Sequence, residues 1–194
     1  MNKLILYILL LLSILGCRLK KENILIHQSN VDYKIQIRSS NKNRSDIVSI
    51  RFPKKIIIKN SNNSITSFKT INYQYYDSLS NWANRNVKLY EVKNKELEKI
   101  SNFKKKIIKS KQNATYIFYT MHFLDSTKSI QQQFKPYIEK ILKENKDTLY
   151  IGTVAEFKKK HKELFEKLTK NDSISIQFLD GKKLGERITV PVEW

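Results

Sequence analysis

Cysteine, glycine and proline are all scarce in this sequence. Its 194 residues include one Cys, four Gly and three Pro. A single Cys excludes an internal disulfide framework and any zinc site built on several thiolates. A glycine-rich phosphate-binding loop is also absent: Gly152 alone lies between a predicted strand and a predicted helix, where it indicates a tight turn.

Residues that commonly build catalytic and metal sites are sparse and scattered. The three histidines lie far apart, and none has a second His or Cys at metal-ligand spacing: His27, His122 and His161. No serine is flanked by the small residues that form the sharp turn around a nucleophilic serine. A glycosidase-like cleft needs two carboxyl groups that lie close together. The sequence offers four candidates without showing which of them are neighbours in the fold: Asp77, Glu91, Asp125 and Glu139. We therefore predict no catalytic residue, no metal and no cofactor, while an enzyme assembled from distant residues stays open.

The N-terminus carries the longest apolar run of the chain. Residues 4–15 are apolar apart from Ser13, and Lys3 places a positive charge in front of them. As a helix, a run of this length spans about 18 Å, which is too short for a hydrocarbon core of about 30 Å. A short apolar run behind a positive charge is typical of a secretory signal peptide. We predict one over residues 1–16.

The end of this run resembles the lipobox of bacterial lipoproteins. Ile14, Leu15, Gly16 and Cys17 match its aliphatic, variable, small and cysteine positions. The resemblance implies cleavage before Cys17 and attachment of diacylglycerol to its sulphur, with acyl chains such as palmitate. Because one acyl chain anchors a protein only marginally, two or three chains are needed for stable anchoring. Residues 17–22 would then be the lipidated cysteine and a short tether.

The resemblance also implies a location. A lipobox places the mature chain in the bacterial cell envelope, anchored to a membrane through the lipid on Cys17. Some Bacteroidetes lipoproteins carry an acidic surface-export signal just after the cysteine, and the residues RLKKEN match it poorly. We predict a domain on the periplasm-facing side of the outer membrane, with surface display as the alternative.

The chain is strongly basic, with 37 Lys and Arg against 18 Asp and Glu and a formal charge of +19. Nucleic-acid binding is the obvious interpretation. However, the envelope holds little nucleic acid, and most of the charge is lysine, whereas phosphate and base recognition favours arginine. Abundant Lys, Asn and Ile are typical of AT-rich genomes, and attraction to anionic membrane surfaces is the alternative explanation. We predict a membrane partner and no nucleic acid.

The first half of the mature chain has the patterns of β-strands. Residues 31–38 alternate between apolar and polar side chains, as a half-buried strand does. Residues 115–123 are apolar on both faces, which is typical of a central strand. Residues 93–110 are ambiguous. Their apolar residues are spaced by three and four positions, which favours the helix that we predict, and a long hairpin is the alternative. Further strands are predicted at residues 23–28, 47–52, 55–59, 65–76 and 87–92.

The second half predicts two amphipathic helices between strands. The first has an apolar stripe over residues 130–142, in which Pro136 marks a kink or the true start. The second begins at Thr153, since Glu156 completes a capping box. Strands are predicted at residues 148–152, 173–179 and 187–192. We predict a single α+β domain over residues 23–194, an antiparallel-leaning β-sheet or sandwich with two helices packed on it.

An aromatic cluster is the feature that best suggests a binding surface. Tyr73, Tyr75 and Trp82 lie on or just after a predicted strand, and His122 lies on the central strand. Tyrosine and tryptophan combine apolar area with a polar group and are enriched at binding surfaces, including those that stack on sugars. The alternative is that these side chains pack in the core. These four residues are the predicted ligand-binding candidates.

Together these features predict a membrane-anchored envelope lipoprotein whose domain is non-enzymatic and binds a protein or glycan partner. Two alternatives stay open. A hydrolase of envelope polymers requires a concave cleft with converging ionisable groups. An immunity or inhibitor lipoprotein requires a charged face that is complementary to its target.

Overall fold

The fold was determined from a computed structural model of the chain. The structure describes residues 23–40, 44–77 and 81–194, without the side chains of residues 76–77 and 81–86. The predicted signal peptide, the tether and Cys17 therefore lie outside the described residues. Within the described residues the fold is α+β, as the sequence predicts, with three antiparallel sheets and with its helices in the C-terminal half.

Sheet A has the strand order β1-β4-β10-β7-β8, sheet B the order β11-β3-β2-β12, and sheet C the order β14-β13-β5-β6, with β9 also paired to β5. The strands are β1 (Ile24–Ser29), β2 (Ile35–Ser39), β3 (Ile47–Arg51), β4 (Pro53–Asn60), β5 (Thr66–Asp77), β6 (Asn81–Asn86), β7 (Lys88–Lys93), β8 (Glu96–Ile100), β9 (Lys106–Ile108), β10 (Asn113–Tyr119), β11 (His122–Phe123), β12 (Thr148–Ile151), β13 (Ser173–Asp180) and β14 (Lys183–Pro191). The helices are α1 (Lys128–Glu144), α2 (Val154–Lys160) and α3 (Lys162–Thr169).

Two neighbouring segments pass from sheet A to sheet B at the same place. The central strand predicted over residues 115–123 is divided there: β10 is the middle strand of sheet A, and β11 pairs with β3 in sheet B. Thr120 joins the two strands, and its hydroxyl accepts a hydrogen bond from the Phe52 amide, 3.1 Å away. Phe52 itself lies between β3 and β4, which also belong to different sheets. This corner places His122 at the junction of the sheets.

The helix predicted over residues 93–110 is wrong, and the hairpin alternative is the closer description. Strands β7 and β8 pair across a tight turn in which Asn94 and Lys95 both have positive φ angles, 49° and 70°. Such left-handed residues fit a two-residue hairpin and cannot continue a helix. The apolar residues spaced by three and four are instead distributed over β8, a loop and β9.

The helix α1 follows its prediction, but the second predicted helix is divided. In α1, Phe134 and Ile141 are fully buried, and Pro136 lies in the interior rather than at the start. The capping box of Thr153 and Glu156 is confirmed at the start of α2. His161 then interrupts the helix with non-helical backbone angles, since it is the C-cap of α2 and the N-cap of α3.

Two hydrophobic clusters stabilise the fold. The first is built from sheets A and C and includes Phe118 and Phe68, both fully buried. The second is built from sheet B and the three helices and includes Phe52, Phe134 and Phe165. Full burial of one such side chain contributes about 2–3 kcal/mol before its conformational cost. The candidate site lies where the two clusters meet.

Candidate functional site

Three of the four predicted binding residues come together at this junction. Strand β5 carries Tyr73 and Tyr75, whose rings stack with centroids 5.6 Å apart. The ring of His122 on β11 lies 5.3 Å from that of Tyr73 and 5.7 Å from that of Tyr75. Trp82 lies on β6, where its backbone pairs with Tyr76 of β5, and its side chain is outside the described residues.

A polar chain runs through the buried part of the cluster. The Tyr73 hydroxyl and His122 Nε2 are 3.0 Å apart. The Trp194 indole donates a hydrogen bond of 2.9 Å to Asp172 Oδ2, and a hydrogen bond from Tyr73 also favours the ionised form of Asp172. Sequence reasoning missed Asp172 and Trp194 as site residues. The one available signal was an isolated acid directly before an apolar strand, and this pattern is usually a surface residue.

Burial shifts the pKa values of these groups in opposite directions. It lowers the pKa of His122 to about 3, against a small opposing effect of the Leu168 backbone, so the imidazole is neutral near pH 7. It raises the pKa of Asp172 to about 7, against the effect of hydrogen bonds from Tyr73 and Trp194. Burial is also the main reason that the pKa of Tyr73 is raised, followed by the nearby Asp172 charge. The site therefore holds few full charges at neutral pH.

One nitrogen of His122 is left without a hydrogen bond. The Tyr73 hydroxyl and Nε2 share one hydrogen bond, and the imidazole tautomer decides which of them donates. Nδ1 is buried and forms no hydrogen bond of ordinary geometry, although the Leu168 backbone favours the protonated ring. Leaving a buried polar atom unpaired costs about 1–3 kcal/mol.

A cavity of about 450 Å³ opens next to His122. Its volume lies in the usual range for small-molecule sites. Most of its wall is apolar, and it is enclosed by residues from β5, the β11 region, α1 and α3. The lining residues are Tyr75, His122, Phe123, Leu124, Asp125, Ile130, Leu164, Lys167, Leu168, Lys170 and Asn171.

The charged residues of the cavity include one ion pair. Lys167 Nζ and Asp125 Oδ2 are 3.4 Å apart, and both side chains are largely exposed. Such a pair contributes about 0–1 kcal/mol and so separates easily. Lys170 is exposed nearby. The cavity therefore offers a mobile positive charge to a ligand group outside the apolar wall.

The predicted acidic candidates do not converge in the cavity. Asp125 is the single acid among its lining residues, while Glu91 lies 4.0 Å from Lys93 on β7. Glu139 is on α1, and the side chain of Asp77 is outside the described residues. Across the described ranges, no group of three or more His, Cys, Asp or Glu residues could hold a metal ion.

The remaining findings concern the chain as a whole. None of the helices in the described residues combines the length and the apolar character needed to cross a bilayer. No protein-family model, curated protein or solved structure matches the chain.

Proposed function

We propose that this protein is a lipid-anchored protein of the bacterial envelope whose domain binds a small, mostly apolar molecule without converting it. The observation that carries the proposal is the cavity of about 450 Å³ next to His122, whose wall is mostly apolar. An apolar pocket with a few converging polar groups is the usual form of a ligand site. The anchoring half of the proposal rests on the lipobox at residues 14–17.

The lining of the cavity favours a ligand with an apolar body and one negatively charged group. Leu124, Ile130 and Leu164 supply apolar wall, and burying apolar surface contributes about 25 cal/mol per Å². Lys167 and Lys170 would pair with the negatively charged group. A ligand without such a group would lose this attraction and would bind more weakly.

The same lining gives less support to a glycan ligand and to a hydrolase. A saccharide presents hydroxyls on most of its surface, and these need more polar partners than an aliphatic wall provides. A glycosidase-like mechanism needs two converging carboxyl groups, and the cavity lining holds Asp125 alone, already paired with Lys167. The inhibitor alternative depends on a charged face rather than on the cavity, and it stays a prediction.

A fluorescent probe tests the binding proposal directly. Anilinonaphthalene sulfonate has an aromatic body and one negative charge, which match the apolar wall and the lysines at the cavity. We expect saturable binding of one probe per chain, with an increase in emission. Leu168→Trp fills the cavity and should abolish binding, whereas Leu142→Trp changes an exposed leucine on α1 and should not.

The outcome that overturns the proposal is equal probe binding by wild type and both variants, or no binding by any of them. Because this probe also binds partly unfolded states, near-UV circular dichroism must first show native packing in each protein. A competing molecule extracted from the native membrane should displace the probe from the wild type.

A further inference from the structure

A row of paired residues at one end of sheet C has an exposed apolar side chain at each of its ends, with the buried Ser67 and the half-buried Leu179 between them. Leu184 is opposite Leu179, Leu179 is opposite Ser67, and Ser67 is opposite Ile107. Directly paired residues project from the same face of a sheet, so the two ends of this row lie on one face. Leu184 is 65% exposed, Ile107 is 60% exposed, and Ile65, just before β5, is 68% exposed. Clustered exposed apolar residues usually mark an interaction surface.

A fourth exposed apolar residue lies on the loop before β9, and a buried polar clamp holds that loop against β5. Phe103 is 61% exposed on the loop between β8 and β9. Next to it, the Asn102 amide group bonds the backbone N–H and C=O of Ile71 at 2.9 and 2.6 Å. Lys106 Nζ donates to three backbone carbonyls, at 2.9 to 3.0 Å. These bonds fix the backbone on both sides of Phe103.

Lysines are concentrated in the segment that carries Phe103 and Ile107. Residues 101–112 contain five lysines and no acidic residue. Four of the five are exposed: Lys104, Lys105, Lys109 and Lys111. We call the basal surface the four exposed apolar residues (Ile65, Phe103, Ile107 and Leu184) together with these four lysines. Apolar side chains within a lysine-rich border fit the interface of a bilayer that contains anionic lipids.

The chain leaves the domain at the same end. The Asn23 carbonyl accepts a hydrogen bond of 2.8 Å from the Ser61 amide, and Lys111 Nζ donates to the Ser61 carbonyl at 2.7 Å. Ser61 is four residues before Ile65 of the basal surface. Six residue steps separate Asn23 from Cys17, and they span at most about 20 Å. A lipid on Cys17 would keep this end of the domain close to the membrane.

We propose that the basal surface docks on the anionic headgroup layer of the membrane that anchors the chain. This proposal rests on the anchoring part of the proposed function. Docking would fix the orientation of the domain on the membrane. Tyr75 of the ligand cavity lies near the opposite end of β5 from Ile65, and nine residues of extended strand span about 30 Å. The cavity would therefore lie outside the docked patch.

The test uses the lipidated protein in vesicles, with an environment-sensitive fluorophore on an introduced cysteine. The variant Ile107→Cys places the fluorophore on the basal surface, and Leu142→Cys places it on α1, where the leucine is similarly exposed at 52%. With phosphatidylglycerol in the vesicles, we expect emission at position 107 to shift to the blue and emission at position 142 to stay that of an aqueous probe. Removing phosphatidylglycerol should reduce the shift.

A charge variant tests the lysines separately. The triple change Lys104→Gln, Lys105→Gln and Lys109→Gln leaves the apolar residues in place, and we expect the docked fraction relative to the undocked one to fall about five-fold per lysine. Equal emission at positions 107 and 142 would overturn docking. A blue shift at position 107 that increases with the protein-to-lipid ratio, but is the same with and without phosphatidylglycerol, would also overturn docking. It would show that a second copy of the chain covers the surface.

The same labelling experiment tests separately whether Cys17 carries a lipid. If Cys17 carries a lipid, its sulphur is blocked, and the wild type takes up no fluorophore. Labelling of the wild type would contradict the proposed anchoring, independently of whether the basal surface docks.

Discussion

His122 and Asp172 have opposite effects on how the stability of the fold depends on pH. The pKa of His122 is about 3 in the folded chain and about 6.5 when unfolded, so the unfolded state binds one more proton between these values. Stability due to His122 therefore rises with pH. The pKa of Asp172 is about 7 when folded and 3.8 when unfolded, so the folded state binds the extra proton. Stability due to Asp172 is present at low pH and is lost as pH rises towards 7.

The two effects cancel where their ranges overlap. Each group contributes a slope of about 1.4 kcal/mol per pH unit, with opposite signs. Exposed carboxyl groups have finished titrating above about pH 5. Between about pH 5 and about pH 6.5, His122 and Asp172 together therefore add almost nothing to the pH dependence of the wild-type free energy of unfolding. In the same interval Asp172→Asn should gain about 2 kcal/mol with rising pH, and His122→Gln should lose about 2 kcal/mol.

Urea denaturation at several pH values, followed by far-UV circular dichroism, measures these slopes. Burial also lowers the pKa of His161, but that group is present in all three proteins. The slope differences from the wild type therefore report the changed residue. Parallel curves for the three proteins would refute the reasoning, since they would show that neither pKa is shifted in the fold.

Three further predictions concern the fold. Thr153→Ala removes the capping box of α2 and should cost about 1 kcal/mol in urea denaturation; an unchanged midpoint would contradict the role of the cap. Gly181 has a φ of 60°, so Gly181→Ala should cost about 1 kcal/mol while Gly181→Asn costs clearly less. Burial lowers the pKa values of Lys54 and Lys106 to about 8, so the unfolded chain binds more protons above that pH. Stability should thus rise from about pH 8 to about pH 9.5, less steeply in Lys54→Met, and an unaltered slope in that variant would contradict this.

Features with a local cause were predictable from the sequence. The capping box needs only Thr153 and Glu156 three residues apart, and the structure has both of its hydrogen bonds. The helix α1 follows from a stripe whose period matches a helix. The fold class followed in turn from the succession of strand patterns and helix patterns.

Features that depend on distant partners were not predictable. The division of the 115–123 strand occurs at Thr120, which bonds Phe52, 68 residues earlier in the sequence. Residues 93–110 have helical spacing, but pairing with β7 and β5 and a left-handed turn at Asn94 determine their structure. Where His161 interrupts the second predicted helix, its ring packs on Phe157 of α2 and on Phe134 of α1, and the contact with Phe134 joins distant parts of the sequence.

The candidate site shows the same division. Residue type alone pointed to Tyr73, Tyr75 and His122, since each combines an apolar ring with a polar group, and they do lie together. Asp172 was missed because the polar groups that interact with it, on Tyr73 and Trp194, are distant in the sequence. No periodicity in the sequence reports such a contact.

Native mass spectrometry of the protein released from its own membranes tests the central claim most directly. The account predicts a chain that begins at Cys17, carries covalent acyl chains and retains one small noncovalent ligand. The Leu168→Trp variant should show the same covalent mass without the ligand. A wild-type chain that begins at Met1 with a free thiol, or that carries no ligand under gentle release, would contradict the account.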